Sequence, residues 1–392
     1  MPFHWSLIPA LILSVVWLHR TYHAIHTVVS TPTLFPAPES RRGSQSSVSI
    51  LIPARNEEKN IGICIRSLLT QIGPNDEIII INDRSSDNTE QILQSLGAEL
   101  ISAEKTGPRP ASQLRYIHLT ETDEAWTGKN YALSQAVPFA GGDWLLFTDA
   151  DTEHYSGSLT ATVDYAEKNK IDYLTLWPQC VTKSFWEHVI QTCSFSFIGL
   201  WFPTQKVNNP DSDRYFANGQ YALINRLHYD KIGGHAAVKN AFLEDFAMMK
   251  KTKQAGGRGI VAIGAHLYGT HMYDGLRQIR RGWRRIYLHG FECCPQALFT
   301  KAMDLIFFST FPFIALPIVA WFLYQNFHDW IWTYCLLALV ILNIFAVAWK
   351  ASHVIRAKRI YAFLHPVGAF ALALIFLESM KMAITKEKTK WR

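Results

Sequence analysis

Two carboxylates stand at the end of a predicted strand. Asp149 and Asp151 follow the apolar run 144–148, and one residue separates them. Alternation along a strand points both side chains the same way, and two like charges held close together are costly unless a cation lies beside them. A hard divalent ion, Mg²⁺ or Mn²⁺, that bridges to a diphosphate satisfies both. The pair predicts a metal and diphosphate site; a turn with helix-capping Asp is the structural alternative.

Polar side chains also follow two other predicted strands. Asp83 follows the run 77–81 after one intervening residue, Asn82, and its carboxylate is suited to accept a hydrogen bond from a ribose hydroxyl or an imide N–H. The strand 48–52 runs into Pro53, Arg55 and Glu57. Ordinary helix capping is the alternative for both stretches.

Two helix starts carry charged residues. Lys129 precedes a predicted helix at 132–137, where a Gly and a Lys beside a helix N-terminus can approach a phosphate. A solvated turn is the alternative. Glu244 and Asp245 precede a helix at 246–253. First-turn carboxylates are favoured by the helix dipole in any case, and the functional interpretation is that Asp245 is a general base.

The elements that must position these residues are short Val/Ile/Leu runs that alternate with helical patterns. Such near-continuous apolar runs predict an α/β fold with a mostly parallel sheet covered by helices on both faces. Sheets of this kind bind ligands at the carboxyl ends of their strands. The predicted strands are 48–52, 77–81, 116–119 and 144–148, and the predicted helices between them include 59–71 and 89–96.

Long apolar runs predict membrane contact at both ends of the chain. The run 330–349 has no charged residue, 304–325 is a second candidate span, and 360–377 is a third that His365 interrupts. Residues 350–359 hold four Lys and Arg side chains, whereas 326–329 hold no Lys or Arg, which predicts a cytoplasmic catalytic domain. A full third span would then put the basic tail outside, so that segment either crosses or is re-entrant or interfacial.

The N-terminal run 5–29 is interpreted as an uncleaved anchor, because its positive charges, Arg20, Arg41 and Arg42, follow the apolar stretch. A buried or interfacial helix is the alternative. The predicted organisation places an anchor at 1–30, a linker at 31–47, a catalytic domain at 48–275, interfacial amphipathic helices at 276–302, two or three spans at 303–382 and a basic tail at 383–392.

Taken together, these motifs resemble family 2 glycosyltransferases with the GT-A fold, specifically membrane-anchored, non-processive ones. The resemblance runs from residue 48 to about 290 and rests on the order of four motifs: 53–57, 82–89, 149–151 and 244–245. Other segments are most similar to the subgroup that glycosylates carotenoids, hopanoids and related lipids; these are 126–129, 218–220, 233–235 and 282–283.

The resemblance implies roles for individual residues. It makes Asp245, beside Glu244, the catalytic base that deprotonates the acceptor. It implies a divalent ion, Mg²⁺ or Mn²⁺, held by Asp149, Asp151 and His271, although a structural role for His271 is an alternative. The residues that it implies in binding a UDP-sugar donor are Pro53, Arg55, Glu57, Asp83, Lys129, Asp149, Gln278, Arg281 and Trp283.

The arginine-rich stretch 277–285 has two interpretations. Its residues could bind anionic lipid headgroups, or some of them could clamp a diphosphate with bidentate bonds. The family's Gln-x-x-Arg-Trp motif is matched by Gln278 and Arg281, but Gly282 stands before Trp283. An alignment on Arg277 is equally fair.

The predicted function is inverting, metal-dependent transfer of a sugar from a UDP-sugar to a membrane lipid such as a carotenoid, hopanoid or ceramide. The predicted location is the cytoplasmic face of the inner or plasma membrane. A net charge of +6 is too modest for a nucleic-acid partner, and six Cys without a CxxC pair do not indicate a zinc site. The rivals are a nucleotidyltransferase, which would want a Gly-rich loop after the first strand, and a membrane scaffold with a degenerate transferase domain.

Overall fold

The computed structural model describes residues 5–38, 46–101 and 113–387. These residues form two compact units. An α/β unit holds the described parts of Thr31–Val181 and Lys206–Met272, and a helical unit holds those of Met1–Ser30, Thr182–Gln205 and Tyr273–Thr389. The predicted catalytic domain at 48–275 differs from this division, because 182–205 cluster with the helical unit. Arg41, Arg42, part of the predicted linker and residues 388–392 of the predicted tail lie outside the described residues.

The strands of the α/β unit form a large and a small sheet. In chain order they are β1 (Val48–Ala54), β2 (Glu77–Asp83), β3 (Glu99–Leu100), β4 (Leu114–Leu119), β5 (Trp144–Thr148), β6 (Thr152–His154), β7 (Tyr173–Trp177), β8 (Gln179–Cys180), β9 (Tyr221–Asn225), β10 (Gly259–Ile263) and β11 (Tyr268–Thr270). The large sheet has the order β10-β7-β9-β5-β1-β2-β4-β3, and the small one β6-β11-β8. Among the described strands of the large sheet, β9 alone runs antiparallel to its neighbours.

The helices belong to both units. In chain order they are α1 (Leu7–Ser30), α2 (Ile61–Leu69), α3 (Thr89–Ser95), α4 (Gly128–Ala136), α5 (Ser158–Lys168), α6 (Thr192–Trp201), α7 (Thr204–Val207), α8 (Arg226–Lys231), α9 (Glu244–Gln254), α10 (Leu276–Gly290), α11 (Pro295–Asp304), α12 (Phe311–Gln325), α13 (Phe327–Val354) and α14 (His365–Thr385). Short 3₁₀ helices occur at Val137–Phe139, Gly234–Val238 and Arg359–Leu364, and π-helices at Glu187–Gln191 and Leu305–Thr310.

The large sheet is buried on both faces, as the continuous apolar runs predict. On one face Ile50 and Ile52 of β1 pack with Ile65 of α2. On the other face Leu51 lies in a cluster with Leu133 of α4. Each of these side chains is almost completely buried. The predicted fold class, a mostly parallel sheet flanked by helices, is confirmed.

Several boundaries differ from the predicted ones at the edge that matters for function. Asp83 is the last residue of β2 instead of lying two residues beyond the strand. α4 begins at Gly128, so Lys129 lies in its first turn, and α9 begins at Glu244 instead of 246. In each case the polar residue adopts the backbone conformation of the strand or helix that it was expected to flank.

The helical unit contains three candidate membrane spans among the residues described. They are Pro295–Gln325, Phe327–Val354 and Arg359–Thr385, each long and apolar enough to cross a bilayer. The first joins α11, a π-helical turn and α12, and only Asn326 separates it from α13. The helix α1 is not among the three candidates.

The helix α1 packs along α13. Leu13 and Trp17 share a buried cluster with Leu337 and Ile344. Ser6 hydrogen-bonds Thr333 at 2.9 Å, and Thr21 donates to Asn343 at 2.8 Å. Because the residue numbers rise together along both helices, α1 and α13 run parallel.

Candidate functional site

The carboxyl edge of the large sheet brings the ammonium of Lys129 close to the carboxylates of Asp149, Glu244 and Asp245. Lys129 Nζ lies 2.8 Å from Asp149 Oδ1 and 2.6 Å from Glu244 Oε1. Asp149 comes directly after β5, whereas Lys129 and Glu244 lie in the first turns of α4 and α9. Burial lowers the pKa of Lys129, but the charges of Asp149 and Glu244 outweigh that effect and hold it well above its usual value. The ammonium is therefore charged and shared between two acids.

Asp245 is held by two backbone N–H groups. Gly219 donates to its Oδ2 at 2.6 Å, and Phe246 donates to its Oδ1 at 2.8 Å. Burial raises the pKa of Asp245 to about 7; the negative charge of Glu244 adds to the effect, and Lys129 opposes it. A carboxylate with a pKa near neutrality is suited to general-base catalysis.

A small and mostly apolar cavity lies against Asp245. Its wall includes Phe147 of β5, Met248 of α9 and His235. The apolar wall explains the burial of the carboxylate and hence its raised pKa. Carboxyl groups in apolar pockets serve as acids or bases in other enzymes, because their pKa is raised there.

Gly219 was not predicted as a site residue with a role, although the segment 218–220 contributed to the family resemblance. A Cβ at this position would lie 3.2 Å from each of three atoms: Asp245 Oδ2, Glu244 Oε1 and Lys129 Nζ. A residue without a side chain therefore lets the charged groups pack around its backbone N–H. His235 was missed as well; it is buried beside the cavity, and its Nδ1 lies 2.7 Å from the Tyr229 hydroxyl.

The loops after β1 and β2 are joined by hydrogen bonds. Ser86 donates its N–H to Asn56 Oδ1 at 2.8 Å, and Glu57 donates its N–H to Thr89 Oγ1 at 2.9 Å. Asn56 has a left-handed backbone, with φ 57°. Asn adopts this conformation more readily than most other non-glycine residues. These contacts place the predicted donor-binding residues of the two loops beside each other.

Asp83 presents a buried acceptor at this edge. Its Oδ1 accepts from Arg84 Nε at 2.7 Å. Its Oδ2 lies 3.9 Å from Arg55 Nη1 and has no hydrogen-bond partner among the residues described. A buried carboxylate oxygen without a hydrogen bond is costly, so the atom is suited to an incoming donor group. Pro53 lies in β1, beyond the last residue that pairs with β5, where its missing N–H breaks no bond with that strand.

A main-chain hydrogen bond joins two of the predicted metal ligands, Asp151 and His271. The N–H of His271 donates to the carbonyl oxygen of Asp151 at 3.3 Å. Within 5–38, 46–101 and 113–387, no group of three or more His, Cys, Asp and Glu side chains is arranged to hold a metal. Mg²⁺ commonly takes one or two carboxylates, with substrate phosphates and waters completing its shell. The hard oxygens of Asp149 and Asp151 fit such an ion, and Asp149 already holds one positive charge, that of Lys129.

The remaining predicted donor-binding residues lie on α10, in the helical unit. The ring of Trp283 is 2% exposed and packs against Phe195 and Tyr287. Gly282 faces Tyr273, and a Cβ there would lie 2.0 Å from the tyrosine hydroxyl. The glycine that interrupts the family motif therefore has a packing reason within the helical unit.

Two other side chains of this motif are at the surface. Gln278 Oε1 accepts from the N–H of Asp274 at 2.8 Å, and Arg281 is exposed. The structure thus gathers Glu244, Asp245, Lys129 and Asp149 in one cluster and Arg55 with Asp83 beside each other, while Gln278, Arg281 and Trp283 belong to a different unit.

Comparison with known proteins finds relatives for much of the chain. Residues 49–233 match the family model Glycosyl transferase family 2. The 4,4'-diaponeurosporenoate glycosyltransferase of Staphylococcus aureus (strain USA300) is 26% identical over 245 residues, which are 62% of this chain and 61% of that protein. The chain thus matches about three fifths of this relative's length.

A solved structure shows the same fold. The mannosyltransferase PcManGT from Pyrobaculum calidifontis, in complex with GDP-Man and Mn²⁺, superposes with a TM-score of 0.52 at 15% identity and covers 98% of this chain and 100% of its own. The prediction of a GT-A-type α/β fold is confirmed, and so is the resemblance on which it rested. Residues 49–233 of this chain are therefore similar to the glycosyl transferase family 2 domain.

Proposed function

We propose that the protein transfers a sugar from a UDP-sugar to a lipid in the adjoining membrane, with a divalent metal ion and with inversion at the sugar carbon. The observation that carries the proposal is the cluster at the sheet edge, where Asp149 and a buried Asp245 of raised pKa lie around one ammonium. Such a set offers a cation-binding carboxylate and a base within one site.

The uridine part of the donor binds, in this proposal, at the ends of β1 and β2. The Oδ2 of Asp83 accepts the imide N–H of the base, which gives that buried oxygen the hydrogen bond it lacks among the described residues. Arg55 Nη1, 3.9 Å from the same oxygen, brings a positive charge next to the carboxylate. Glu57 and Pro53 line the same edge.

The diphosphate binds next to the end of β5. Asp149 and Asp151 would hold Mg²⁺ or Mn²⁺, with the His271 main chain fixing the backbone of Asp151. Bound there, the ion supplies positive charge to the diphosphate as it leaves. PcManGT was solved with Mn²⁺ and GDP-Man, which is consistent with a metal but comes from a protein that uses a different nucleotide.

Asp245 acts as the base. Its carboxylate accepts the proton of an acceptor hydroxyl, or orients an acceptor carboxylate, while the acceptor oxygen forms a bond to the anomeric carbon. The bond from that carbon to the diphosphate oxygen breaks on the opposite side, so one displacement inverts the configuration. The N–H groups of Gly219 and Phe246 orient the carboxylate, and positioning both substrates supplies much of the rate acceleration.

A lipid acceptor is proposed because of the helical unit. Among the described residues, three helices are long and apolar enough to span a bilayer, and the relative from S. aureus is named for a carotenoid acid. A greasy acceptor then need not leave the membrane to be glycosylated. The amphipathic α10, with Arg277 and Arg281 exposed and Trp283 buried, lies in this proposal at the interface.

The proposed function predicts a new glycolipid in cells that make the protein. Lipid extracts from cells with and without it are compared by mass spectrometry, and we expect a species heavier than a host lipid by one hexose-sized unit. Cells that make the Asp245→Asn variant at equal level are the matched control and should lack the species. Identical profiles with the native chain, in a host that supplies carotenoid, hopanoid and ceramide lipids, would leave the scaffold as the better account. A nucleotide-linked product would instead favour the nucleotidyltransferase.

We further infer the sidedness of the membrane segments. Since α1 and α13 run parallel, their C-terminal ends lie on one side, and the basic residues Lys350, Arg356 and Lys358 make that side cytoplasmic. The chain enters the α/β unit directly after α1, so this unit is cytoplasmic. The chain leaves the α/β unit directly before α10. The arginines of α10 hold this helix at the cytoplasmic interface of the membrane.

The proposed placement also bears on the path of α14. Arg280 of α10 makes an ion pair with Glu378 of α14 at 2.6 Å, and Ser379 donates to the carbonyl of Arg284 at 3.0 Å. The C-terminal half of α14 thus lies beside α10 at the cytoplasmic interface. We infer that α14 returns to that side or lies in the interface, so that Lys381 and Lys386 remain cytoplasmic, as the positive-inside rule requires.

A fusion experiment tests this topology. Alkaline phosphatase, active only outside the cytoplasm, is fused after residue 387 in a bacterial host. We expect no phosphatase activity there, and fluorescence when the green fluorescent protein replaces it. A fusion at Asn326, between α12 and α13, is the matched control and should be active. An active phosphatase after residue 387 contradicts the proposed path of α14.

A further inference from the structure

We propose that Lys129 is a built-in cation that holds Asp149 while no divalent ion is bound and gives up that carboxylate when metal and nucleotide sugar enter together. The inference rests on the proposed metal site and assigns a role to a residue that was predicted to touch phosphate. Lys129 is in this sense a positioning residue that acts through Asp149.

The geometry shows which partner the ammonium would leave. Lys129 Nζ is shared between Asp149 at 2.8 Å and Glu244 at 2.6 Å. The side chain of Asp149 is 31% exposed, whereas those of Lys129 and Glu244 are 12% and 11% exposed. An ion arriving from solvent therefore meets Asp149 first, and Glu244 remains behind to pair with the displaced ammonium.

The position of Lys129 speaks against a purely structural ion pair. It lies in the first turn of α4, where the helix dipole disfavours a positive charge. Gly219 packs so closely that a Cβ would come within 3.2 Å of Lys129 Nζ and of Glu244 Oε1. One ammonium thus lies between two acids although its helix position is unfavourable. The glycine at position 219 leaves room for it.

Electrostatics then links the two ligands. An ammonium and a divalent cation on the same carboxylate repel each other strongly in a partly buried site, so metal alone competes poorly with Lys129. A nucleoside diphosphate brings negative charge of its own, which can neutralise both cations. Lys129 therefore makes metal binding depend on the nucleotide, and it keeps Asp149 from standing as an uncompensated charge in the resting protein.

The test measures Mn²⁺ binding by the full-length protein in detergent, by titration calorimetry and by the electron paramagnetic resonance of free Mn²⁺, with and without UDP. In Lys129→Met we expect Mn²⁺ alone to bind about tenfold more tightly than in the native chain, and the gain in affinity on adding UDP to shrink by a similar factor. Lys129→Arg, which keeps the charge, should restore native behaviour. Lys168→Met, an exposed lysine at the end of α5, is the matched control and should change nothing.

Removing Lys129 leaves two acids without their cation, so the double variant Lys129→Met with Glu244→Gln guards against a failure to fold. It should also bind Mn²⁺ alone more tightly than the native chain. Unchanged or weaker Mn²⁺ binding in folded variants, while the native chain binds UDP with Mn²⁺, overturns the role of Lys129 and leaves the metal site intact. Absence of Mn²⁺ binding by the native chain under every condition overturns the metal site and this inference together.

Discussion

Asp245→Asn is expected to lower the rate of sugar transfer by about 10²- to 10⁴-fold, the range typical for loss of a general base. The amide is nearly isosteric, and its oxygen can still accept the N–H of Gly219, whereas its NH2 group loses the hydrogen bond from the N–H of Phe246. The side chain keeps its size but cannot take a proton. Transfer is measured from UDP release and from glycolipid formation with detergent-solubilised protein. Donor affinity, measured by calorimetry, should remain close to that of the native chain.

The pH profile gives a second readout of the same residue. The base acts only when ionised, and burial raises the pKa of Asp245 to about 7, so kcat/KM should fall as the pH drops below about 7. An exposed Asp would lose activity only near its ordinary pKa of about 4. The residual rate of Asp245→Asn should show no such limb. Asp164→Asn is the matched control, because α5 packs on the face of the sheet opposite to α9, and it should keep the native pH profile. If Asp245→Asn keeps native turnover, the base lies elsewhere.

Removal of the divalent ion is expected to be the other large effect. With EDTA, transfer should fall by about 10³-fold, because several kcal/mol of charge stabilisation at the leaving diphosphate are lost. Mn²⁺ or Mg²⁺ in excess should restore the native chain. It should not restore Asp151→Ala, which lacks one of the two carboxylates at the end of β5. The measurement is the same transfer assay after chelation and re-addition of metal.

The control for this effect is Asp164→Asn, which should lose and regain activity as the native chain does. Full activity of the native chain in EDTA refutes the metal role. Restoration of Asp151→Ala to native activity by Mn²⁺ would instead leave the ion but remove Asp151 from its ligands.

Much of the fold could be predicted because its strands are buried on both faces. The strand β5 has the predicted bounds, and β1 and β2 contain the predicted runs, since continuous Val, Ile and Leu are costly anywhere but between two helical layers. The strand β9 was not predicted. It lies antiparallel between β5 and β7, and its five residues carry no signal for that reversal, which depends on strands far away in the sequence.

The site was predictable in its residue types but not in its pairings. Carboxylates after parallel strands must meet at one edge, so Asp83 and Asp149 could be placed from the sequence. The partners of Lys129 could not, because Glu244 is more than a hundred positions away and reaches it only through the packing of α9. Trp283 shows the opposite case, since its place in the motif suggested donor binding while its apolar neighbours bury its ring in the helical unit.

The most direct test of the central claim, that a divalent cation joins Asp149 and Asp151 to a nucleotide, is a calorimetric titration of the purified protein with UDP. With Mn²⁺ present we predict saturable heat with one site, which disappears in EDTA and in Asp149→Ala and Asp151→Ala. No heat with UDP plus Mn²⁺, or equal binding of the native chain and both alanine variants, would contradict the account.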